Sequence, residues 1–271
     1  MSNPSESDLD LPAYFARIGY AGTPAADPAT LTALHRAHIL AIPFENLTIQ
    51  LGGTVPLDLA SLQRKLVQDG RGGYCFEQNT LFQAILIRLG FRVTPLAARV
   101  SHGKPEPSSR SHMLLRVDLA DGPYLVDVGF GGRGLWQPLP LRDGAADAWG
   151  NDSYRLQRAD GHWTLQTLRS DGWTDLYTFT DEPQYPIDYE MANHFVATHP
   201  KSHFIQNLMA IRRTATGRTY VMNGDFATES ATGTVKHPIE GPEALRALLA
   251  TEFGIVLPAG PLSPRAWADT V

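Results

Sequence analysis

The single cysteine of this 271-residue chain lies in a segment whose residue types suit nucleophilic chemistry. Cys75 follows Gly72 and Gly73, which permit a sharp turn with positive φ. A run of apolar residues at helical spacing follows, from Leu81 to Leu89. The first-turn N–H groups of a helix favour a thiolate over a thiol, and the thiolate is the nucleophilic form of cysteine. A lone cysteine is also often a small buried hydrophobic residue, and the local pattern leaves these two interpretations evenly balanced.

A nucleophilic cysteine needs a general base, and the base needs a group that orients it. Among nine histidines, His112 begins an alternating strand, and Asp127 ends the strand after it. If Asp121-Gly122 forms a two-residue turn, residues whose numbers sum to 243 face each other, which puts both side chains on one face. Asp127 then faces Arg116, about four residues or roughly 13 Å from His112. Contact between the two side chains would require a bulge or bend next to His112. Taken alone, Asp127 fits a turn-capping aspartate slightly better than a catalytic one.

A glycine-rich loop, residues 129–134, follows the strand that ends at Asp127. It matches the dinucleotide fingerprint G-x-G-x-x-G, but Trp136, Pro138 and Pro140 exclude the helix that such a site requires. We therefore expect a loop that lets a ligand approach the backbone.

Other polar residues also lie in unusual surroundings. His194, His199 and His203 match no zinc spacing, so surface or packing histidines are favoured and no metal is expected. Glu45 and Arg71 lie in apolar or glycine-rich surroundings. Solvated charges are the ordinary interpretation, and a buried ion pair beneath the Cys75 turn is the more specific hypothesis.

Composition narrows the class of protein. The net charge is −5 and no dense basic run occurs, which argues against a dedicated nucleic-acid binder. No apolar run reaches the roughly 18 residues of a membrane span, and the polar, acidic start lacks the features of a signal peptide. One cysteine excludes an intramolecular disulfide and fits a reducing cytosol, so a cytoplasmic location is expected.

The chain divides into three stretches of different character. Residues 1–90 carry apolar stripes at helical spacing, with Asp27 and Asp58 as candidate caps. Residues from about 91 to 185 form short strands separated by Asp-Gly turns, which predicts a mostly antiparallel barrel or curled sheet. Beyond them we predict strands over 204–212 and 218–222, a helix over 243–253, and a loosely packed tail after Leu257.

Five segments together resemble the arylamine N-acetyltransferases. They are Ile42–Leu47, Arg71–Asn79, Ser111–Leu114, Leu125–Gly131 and His203–Leu208, in the order of the family. The resemblance runs from about residue 10 to 215, and the pattern R-G-G-x-C-F-E-x-N is highly specific.

The resemblance implies an α+β fold with a Cys-His-Asp core like that of cysteine proteases. Its parts would be an N-terminal helical bundle carrying the nucleophile (1–90), a central antiparallel β-barrel carrying the histidine and aspartate (91–190), and a C-terminal α/β lid (191–271). The implied catalytic triad is Cys75, His112 and Asp127, with Arg71 and Glu45 in structural support. The implied substrate-binding residues are Phe130, Phe204, Gly129 and Gly131.

The family chemistry implies acetyl-CoA as co-substrate, with no metal and no bound prosthetic group. Arylamines, arylhydrazines or N-hydroxyarylamines would accept the acetyl group, in ping-pong order through a cysteine thioester. No nucleic-acid or membrane partner is implied, and a homo-oligomer is left open. CoA contacts beyond about Asn223 also stay open. One alternative is a cysteine hydrolase or a transglutaminase-like acyltransferase, because these enzymes use the same kind of catalytic triad. A second alternative is a non-enzymatic scaffold.

Overall fold

The N-terminal part of the chain is helical. In the computed structural model, which describes residues 9–101 and 108–267, its α-helices are α1 (Leu11–Ile18), α2 (Pro28–Ala41), α3 (Leu47–Gln50), α4 (Leu59–Leu62) and α5 (Cys75–Arg88). A π-helical segment, Gln63–Gln68, continues α4. Helices of the C-terminal part are α6 (Pro186–Thr198), α7 (His203–Gln206) and α8 (Gly241–Phe253), followed by a 3-10 turn at Arg265–Trp267.

Strands form two antiparallel sheets. Eight strands follow the order β5-β4-β3-β2-β9-β8-β7-β6, and their ranges are β2 (Arg92–Val100), β3 (His112–Leu119), β4 (Gly122–Val126), β5 (Leu139–Pro140), β6 (Ala146–Trp149), β7 (Asp152–Ala159), β8 (His162–Arg169) and β9 (Gly172–Phe179). The second sheet follows the order β1-β10-β11-β12-β13, with β1 (Phe44–Glu45), β10 (Met209–Thr214), β11 (Gly217–Met222), β12 (Asp225–Ser230) and β13 (Gly233–Pro238). The first sheet is a nearly closed barrel, which confirms the predicted α+β fold.

Sequence signals place the ends of the helices that matter for the site. Asp27 Oδ1 accepts the Thr30 N–H at 2.7 Å, and Pro28 occupies the first position of α2. Helix α5 begins at Cys75, which places the residue in the first turn, and Gly90 follows the end of the helix with φ of +88°. The apolar face of α5 packs on β2 and β3 and is fully buried at Leu81, Phe82, Ile85 and Leu86.

The hairpin between β3 and β4 differs in register from the prediction. Leu119 pairs with Gly122 and Leu115 with Val126, so paired numbers sum to 241 rather than 243. The predicted Asp121-Gly122 turn is wrong by one residue, because Gly122, with φ of +130°, opens the strand instead of completing the turn. The Asp160-Gly161 pair is itself the turn between β7 and β8, with φ of +48° and +78°.

The C-terminal part corrects two predictions. The strand predicted from Phe204 begins only at Met209, because Ser202 Oγ accepts the Phe204 N–H at 3.2 Å and starts α7. The tail as far as Trp267 is not loosely packed: Leu262 is buried in the C-terminal core, and the Ala266 N–H donates to Gln50 at 2.8 Å. Residues 268–271 of the predicted tail lie outside the described residues.

The N-terminal part also supplies an edge strand to the C-terminal sheet. Phe44 of β1 pairs with Ile211 and Glu45 with Ala210. Two residues carry no alternation, so the sequence gives no sign of this strand. The domain boundaries proposed at residues 90 and 190 stay a prediction.

Candidate active site

Cys75 lies where a tight turn enters α5. It is the first residue of the helix, and its side chain is nearly buried, with 3% of its surface exposed. The thiol donates to the Ser111 carbonyl oxygen at 3.7 Å. Because Cys75 occupies the first helical position, it lies beside N–H groups that have no intrahelical acceptor.

His112 and Asp127 meet directly. His112 Nε2 donates to Asp127 Oδ2 at 2.7 Å, and both side chains are buried. In the observed register Asp127 falls opposite Leu114, one residue beyond the last pair, so it is diagonal to His112 on the same face. Such diagonal neighbours are about 7–8 Å apart, a gap that two side chains span. The predicted need for a bulge or bend next to His112 is therefore wrong, since it came from the wrong register.

The buried carboxylate controls the protonation of the imidazole. Burial lowers the pKa of His112, but the charge and hydrogen bond of Asp127, with a smaller contribution from Cys75, raise it to about 10. Burial raises the pKa of Asp127, yet the charge and hydrogen bond of His112 hold that pKa below its usual range. The site therefore favours an imidazolium–carboxylate pair. Since Nε2 is bound to Asp127, Nδ1 remains for the hydrogen bond with Cys75.

Asn79 ties the aspartate to the helix of the nucleophile. It lies one turn after Cys75 in α5, and its Nδ2 donates to Asp127 Oδ1 at 3.0 Å and to the Met113 carbonyl at 2.8 Å. Its Oδ1 accepts the Val128 N–H at 3.1 Å. In the sequence Asn79 stands out only as part of the motif that contains Cys75. A buried amide on an otherwise apolar face was the available signal.

His35 supports the same aspartate through its main chain. Its Nε2 donates to the Asp127 main-chain oxygen at 3.1 Å, and the whole ring is buried. Burial lowers the pKa of His35 to about 4, so it is a neutral donor at neutral pH. No sequence pattern singled out this residue, because a histidine in an apolar helix stripe resembles an ordinary core position.

The glycine-rich loop packs closely on the start of α5. A Cβ at Gly129 would lie 2.8 Å from Cys75 Cα and 2.8 Å from Asn79 Nδ2. Gly131 has φ of +77°, and a Cβ there would lie 2.9 Å from the Phe44 ring. Both glycines therefore allow close packing around the site.

A cavity of about 650 Å³ opens beside the reactive groups, and Cys75 and His112 are among its lining residues. Phe130 stacks edge-on against His112 with ring centroids 5.1 Å apart. Phe204 does the same against Tyr74 at 5.3 Å. Phe130, Phe204 and Gly129 line the cavity, whereas Gly131 is not among its described lining residues.

The predicted ion pair beneath the Cys75 turn is present. Arg71 Nη2 lies 2.7 Å from Glu45 Oε1, and Glu45 is fully buried. The Glu45 N–H donates to the Gly73 carbonyl at 3.1 Å, which attaches the pair to the turn.

The described ranges, 9–101 and 108–267, contain neither a candidate metal site nor a candidate membrane-spanning helix. No group of three or more His, Cys, Asp or Glu side chains there is arranged to hold a metal ion. No helix in the same ranges has the length and apolar character needed to cross a membrane.

Comparison with known proteins agrees with the motifs. Residues 27–261 match the sequence model of a family described as N-acetyltransferase. The arylamine N-acetyltransferase of Mycolicibacterium smegmatis is 40% identical over 257 residues, covering 92% of this chain and 93% of the relative.

Solved structures agree in fold over the same length. An M. smegmatis arylamine N-acetyltransferase structure has a TM-score of 0.89 at 36% identity, covering 95% of this chain and 97% of that chain. The Mycobacterium marinum arylamine N-acetyltransferase in complex with CoA has a TM-score of 0.85 at 37% identity, covering 91% and 93%. The chain therefore belongs to the arylamine N-acetyltransferase family, as its five segments predict.

Proposed function

We propose that this protein transfers an acetyl group from acetyl-CoA, through a thioester on Cys75, to an aromatic amine or hydrazine. The observation that carries the proposal is the buried His112–Asp127 pair beside the only thiol of the chain. Family membership and the CoA complex of a relative support the choice of donor. The chemistry needs a reduced thiol, which fits a cytoplasmic location.

The first half-reaction forms the acetyl-enzyme. Asp127 keeps His112 protonated, and the imidazolium stabilises the Cys75 thiolate as an ion pair. The thiolate attacks the thioester carbonyl, and first-turn N–H groups of α5 stabilise the oxyanion. The C–S bond to CoA breaks, and the CoA sulfur takes the His112 proton as it leaves.

The second half-reaction transfers the acetyl group to the amine. Neutral His112 now accepts a proton from the attacking nitrogen, and the Cys75 thiolate leaves from the tetrahedral intermediate. The imidazolium–thiolate pair is thereby restored. Phe130 and Phe204 line the same cavity as Cys75 and His112 and are suited to hold a planar acceptor ring. The nearly complete burial of Cys75 limits access of water to the thioester.

The direct test is mass spectrometry of the intact protein after incubation with acetyl-CoA. Wild-type protein should gain one acetyl group, about 42 Da, which hydroxylamine removes and an added arylamine discharges. Cys75→Ser should gain none. A cysteine hydrolase acting on amides would not accumulate this label from a CoA thioester, and a non-catalytic scaffold would show neither label nor turnover. Labelling of Cys75→Ser at the wild-type rate would overturn the assignment.

The histidine–aspartate pair is tested by Asp127→Asn. Without the carboxylate charge, burial dominates and lowers the pKa of His112, so the imidazolium is lost at lower pH and stabilises the thiolate less. The pH profile of Cys75 alkylation should therefore shift upward, and turnover should fall roughly 10⁴-fold, as in other triads. An unchanged profile would show that another group orients His112.

A further inference from the structure

The residue before the nucleophile is held by a side chain of α6. Tyr74 is fully buried, and its hydroxyl donates a hydrogen bond to Asn193 Oδ1. Asn193 Nδ2 in turn donates to the Val55 carbonyl oxygen at 2.8 Å. Because a carbonyl oxygen only accepts, the amide of Asn193 points its nitrogen at Val55 and its oxygen at the phenol. Asn193 therefore links the start of α5 to the main chain that precedes α4.

The phenol of Tyr74 needs this partner. Burial, with smaller contributions from the charges of Glu77 and Cys75, raises the pKa of Tyr74 well above its usual value. The hydroxyl therefore keeps its proton at neutral pH and acts as a donor. Among the described residues it forms no hydrogen bond other than the one to Asn193. A buried donor that loses its acceptor is costly, so removal of the amide should make the ring turn toward another polar group or water.

The Tyr74 ring supports a wall of the cavity beside Cys75. It meets Phe204 edge-on, with centroids 5.3 Å apart and planes at 80°. Phe204 lines the cavity, whereas Tyr74 is not among its described lining residues. Phe76 also meets Tyr74 edge-on, with centroids 5.5 Å apart. The tilt of the Tyr74 ring, which the hydrogen bond to Asn193 fixes, therefore determines the surface against which Phe204 packs.

Helix α6 holds the backbone of Phe204 as well. Ser202 Oγ accepts the Phe204 N–H at 3.2 Å and donates to the Val196 carbonyl oxygen at 2.5 Å. Val196 lies about one turn after Asn193 in the same helix. The main chain of Phe204 is thus attached to α6 directly, and its ring is attached through Tyr74. Only the second attachment depends on the side chain of Asn193.

We propose that Asn193 is a positioning residue for the acetyl acceptor: through Tyr74 it places Phe204 against the ring of the aromatic amine or hydrazine. The proposal rests on the proposed function, in which Phe204 contacts that ring. Asn193 lines a different cavity, of about 500 Å³, which shares no described lining residue with the cavity beside Cys75. Its effect on turnover is therefore indirect, and it should depend on whether the acceptor carries a ring.

The test uses preformed acetyl-enzyme and two acceptors with the same nucleophilic group. Phenylhydrazine carries a ring, and hydrazine does not. Asn193→Ala should lower kcat/KM for discharge by phenylhydrazine roughly 5-fold, the loss expected when one orienting hydrogen bond is removed, chiefly by raising the half-saturating concentration. Discharge by hydrazine, acetylation by acetyl-CoA and the pH profile of Cys75 alkylation should stay as in wild type. Equal losses with both hydrazines, or a loss with neither, would overturn the proposal.

A second variant removes the same hydrogen bond from its other end. Tyr74→Phe keeps the ring and should also reduce the preference for phenylhydrazine over hydrazine, which keeps the test decisive if Asn193→Ala does not fold. The double variant should lose no more than the more affected single variant, because both changes remove one shared contact. Losses that multiply in the double variant would show that Asn193 does not act through Tyr74.

Tyr189→Phe is the matched control for a loss of structure alone. Tyr189 lies one turn before Asn193 in α6, and its hydroxyl donates to the Leu96 carbonyl oxygen of β2 at 2.9 Å. The variant removes a buried hydrogen bond of α6 but leaves Tyr74 paired. It should lower Tm without changing the preference between the two hydrazines. An equal fall in that preference would indicate general loosening of α6 and would contradict a specific role of Asn193.

The outcomes separate this proposal from the proposed function. If wild-type protein forms no acetyl-enzyme with acetyl-CoA, the acetyltransferase function itself fails, and the role of Asn193 fails with it. If the acetyl-enzyme forms and the preference for phenylhydrazine does not depend on Asn193 or on the Tyr74 hydroxyl, only the positioning role is overturned.

Discussion

Two glycine-containing segments meet at the reactive groups, and an arginine holds each of them in a different way. In the nucleophile turn, residues 71–74, Arg71 forms an ion pair with Glu45, 26 positions away in the chain. In the glycine loop, residues 129–134, the arginine comes from β10. Arg213 donates to the Gly131 and Leu135 carbonyl oxygens at 2.9 Å each, and also to that of Gly134. Within the described residues no carboxylate forms an ion pair with Arg213.

The difference shows how two buried cations are stabilised without the same partner. Burial lowers the pKa of Arg213, which reports the cost of removing its charge from water. Carbonyl dipoles and the face of Trp136, 4.9 Å from the guanidinium carbon, offset part of that cost. The nucleophile turn is therefore held by charge neutralisation within the N-terminal part. The glycine loop is held by a strand about 80 residues away, so its position depends on assembly of the C-terminal sheet.

The largest expected effect comes from closing the space at the nucleophile turn. A Cβ at Gly72 would lie 2.1 Å from the Pro43 carbonyl oxygen and 2.9 Å from Glu45 Cγ. The backbone cannot yield without breaking the contacts of β1, so Gly72→Ala should exceed the usual 1–3 kcal/mol of overpacking and lower Tm by roughly 10 °C.

The matched control is Gly70→Ala, two residues earlier. Gly70 has φ of +65°, but a Cβ there meets nothing within 4 Å. Only backbone strain of about 1 kcal/mol is expected. Equal Tm shifts for the two alanines would show that the turn moves freely and that close packing does not fix it.

Breaking the ion pair should be the next largest effect. Glu45→Gln leaves Arg71 as a mostly buried cation without a counter-ion. The variant should lower the unfolding free energy by about 3 kcal/mol. This is the lower end of the range for buried pairs, because Arg71 is partly exposed. Urea unfolding measures this. Glu182→Gln removes the partner of Arg110 in an exposed pair and should cost less than about 1 kcal/mol. Similar costs for both variants would mean that burial of the Glu45 pair contributes little.

Removing Arg213 should affect stability less than breaking the Glu45–Arg71 ion pair does. It should affect acetyl transfer to the arylamine more. Arg213→Met deletes two hydrogen bonds to the glycine loop and one to the adjoining Leu135. It also replaces a buried charge by an apolar side chain of similar volume, so the net cost is expected to be about 1–2 kcal/mol. The loop carries Phe130, so kcat/KM for the arylamine should fall roughly 10-fold through misplacement of the acceptor. The pH profile of Cys75 alkylation should change little. A shifted alkylation profile with normal acceptor kinetics would contradict this division between the two segments.

The same contrast explains what the sequence could predict. Glu45 and Arg71 have opposite charges in unusual surroundings, so their pairing was predictable. Arg213 is satisfied by main-chain oxygens, and no residue type elsewhere in the chain reports that arrangement. The motifs likewise identified Cys75, His112 and Asp127 as candidate catalytic residues, and these catalytic roles stay predictions.

Register and short elements were the main source of error. An Asp-Gly pair can form the two central residues of a hairpin turn. It can also supply the last residue of the turn and the first residue of the next strand, and only packing decides between the two. The resulting shift misplaced Asp127 relative to His112. A strand was predicted at Phe204 from residue preference, but the Ser202 cap outweighed it locally. These are tertiary or single-hydrogen-bond effects that periodicity does not record.

The smallest expected effect concerns two buried histidines of α2. His35 donates to the Asp127 carbonyl next to the glycine loop. His38 lies against Phe82, and its Nδ1 is bound to the Tyr14 hydroxyl at 2.9 Å. Burial lowers the pKa of His38 to about 3, with a smaller contribution from His35.

Both folded-state values lie below the unfolded value of about 6.5, so the unfolded chain binds protons that the folded chain does not. The stability contributed by neutral His38 is therefore present above pH 6.5 and is lost as pH falls toward 3. Between pH 7.5 and 5.5 the loss should be about 1.4 kcal/mol for each histidine.

Urea unfolding measures the fall in unfolding free energy between the two pH values. In His38→Gln this fall should be smaller than in wild type by about 1.4 kcal/mol, and in the double variant with His35→Gln it should be smaller by about twice as much. His35→Gln should also reduce acetylation, because it releases the Asp127 backbone, whereas His38→Gln should not. Parallel pH dependence in wild type and His38→Gln would show that His38 binds protons equally in the folded and unfolded chains, which would contradict its lowered pKa.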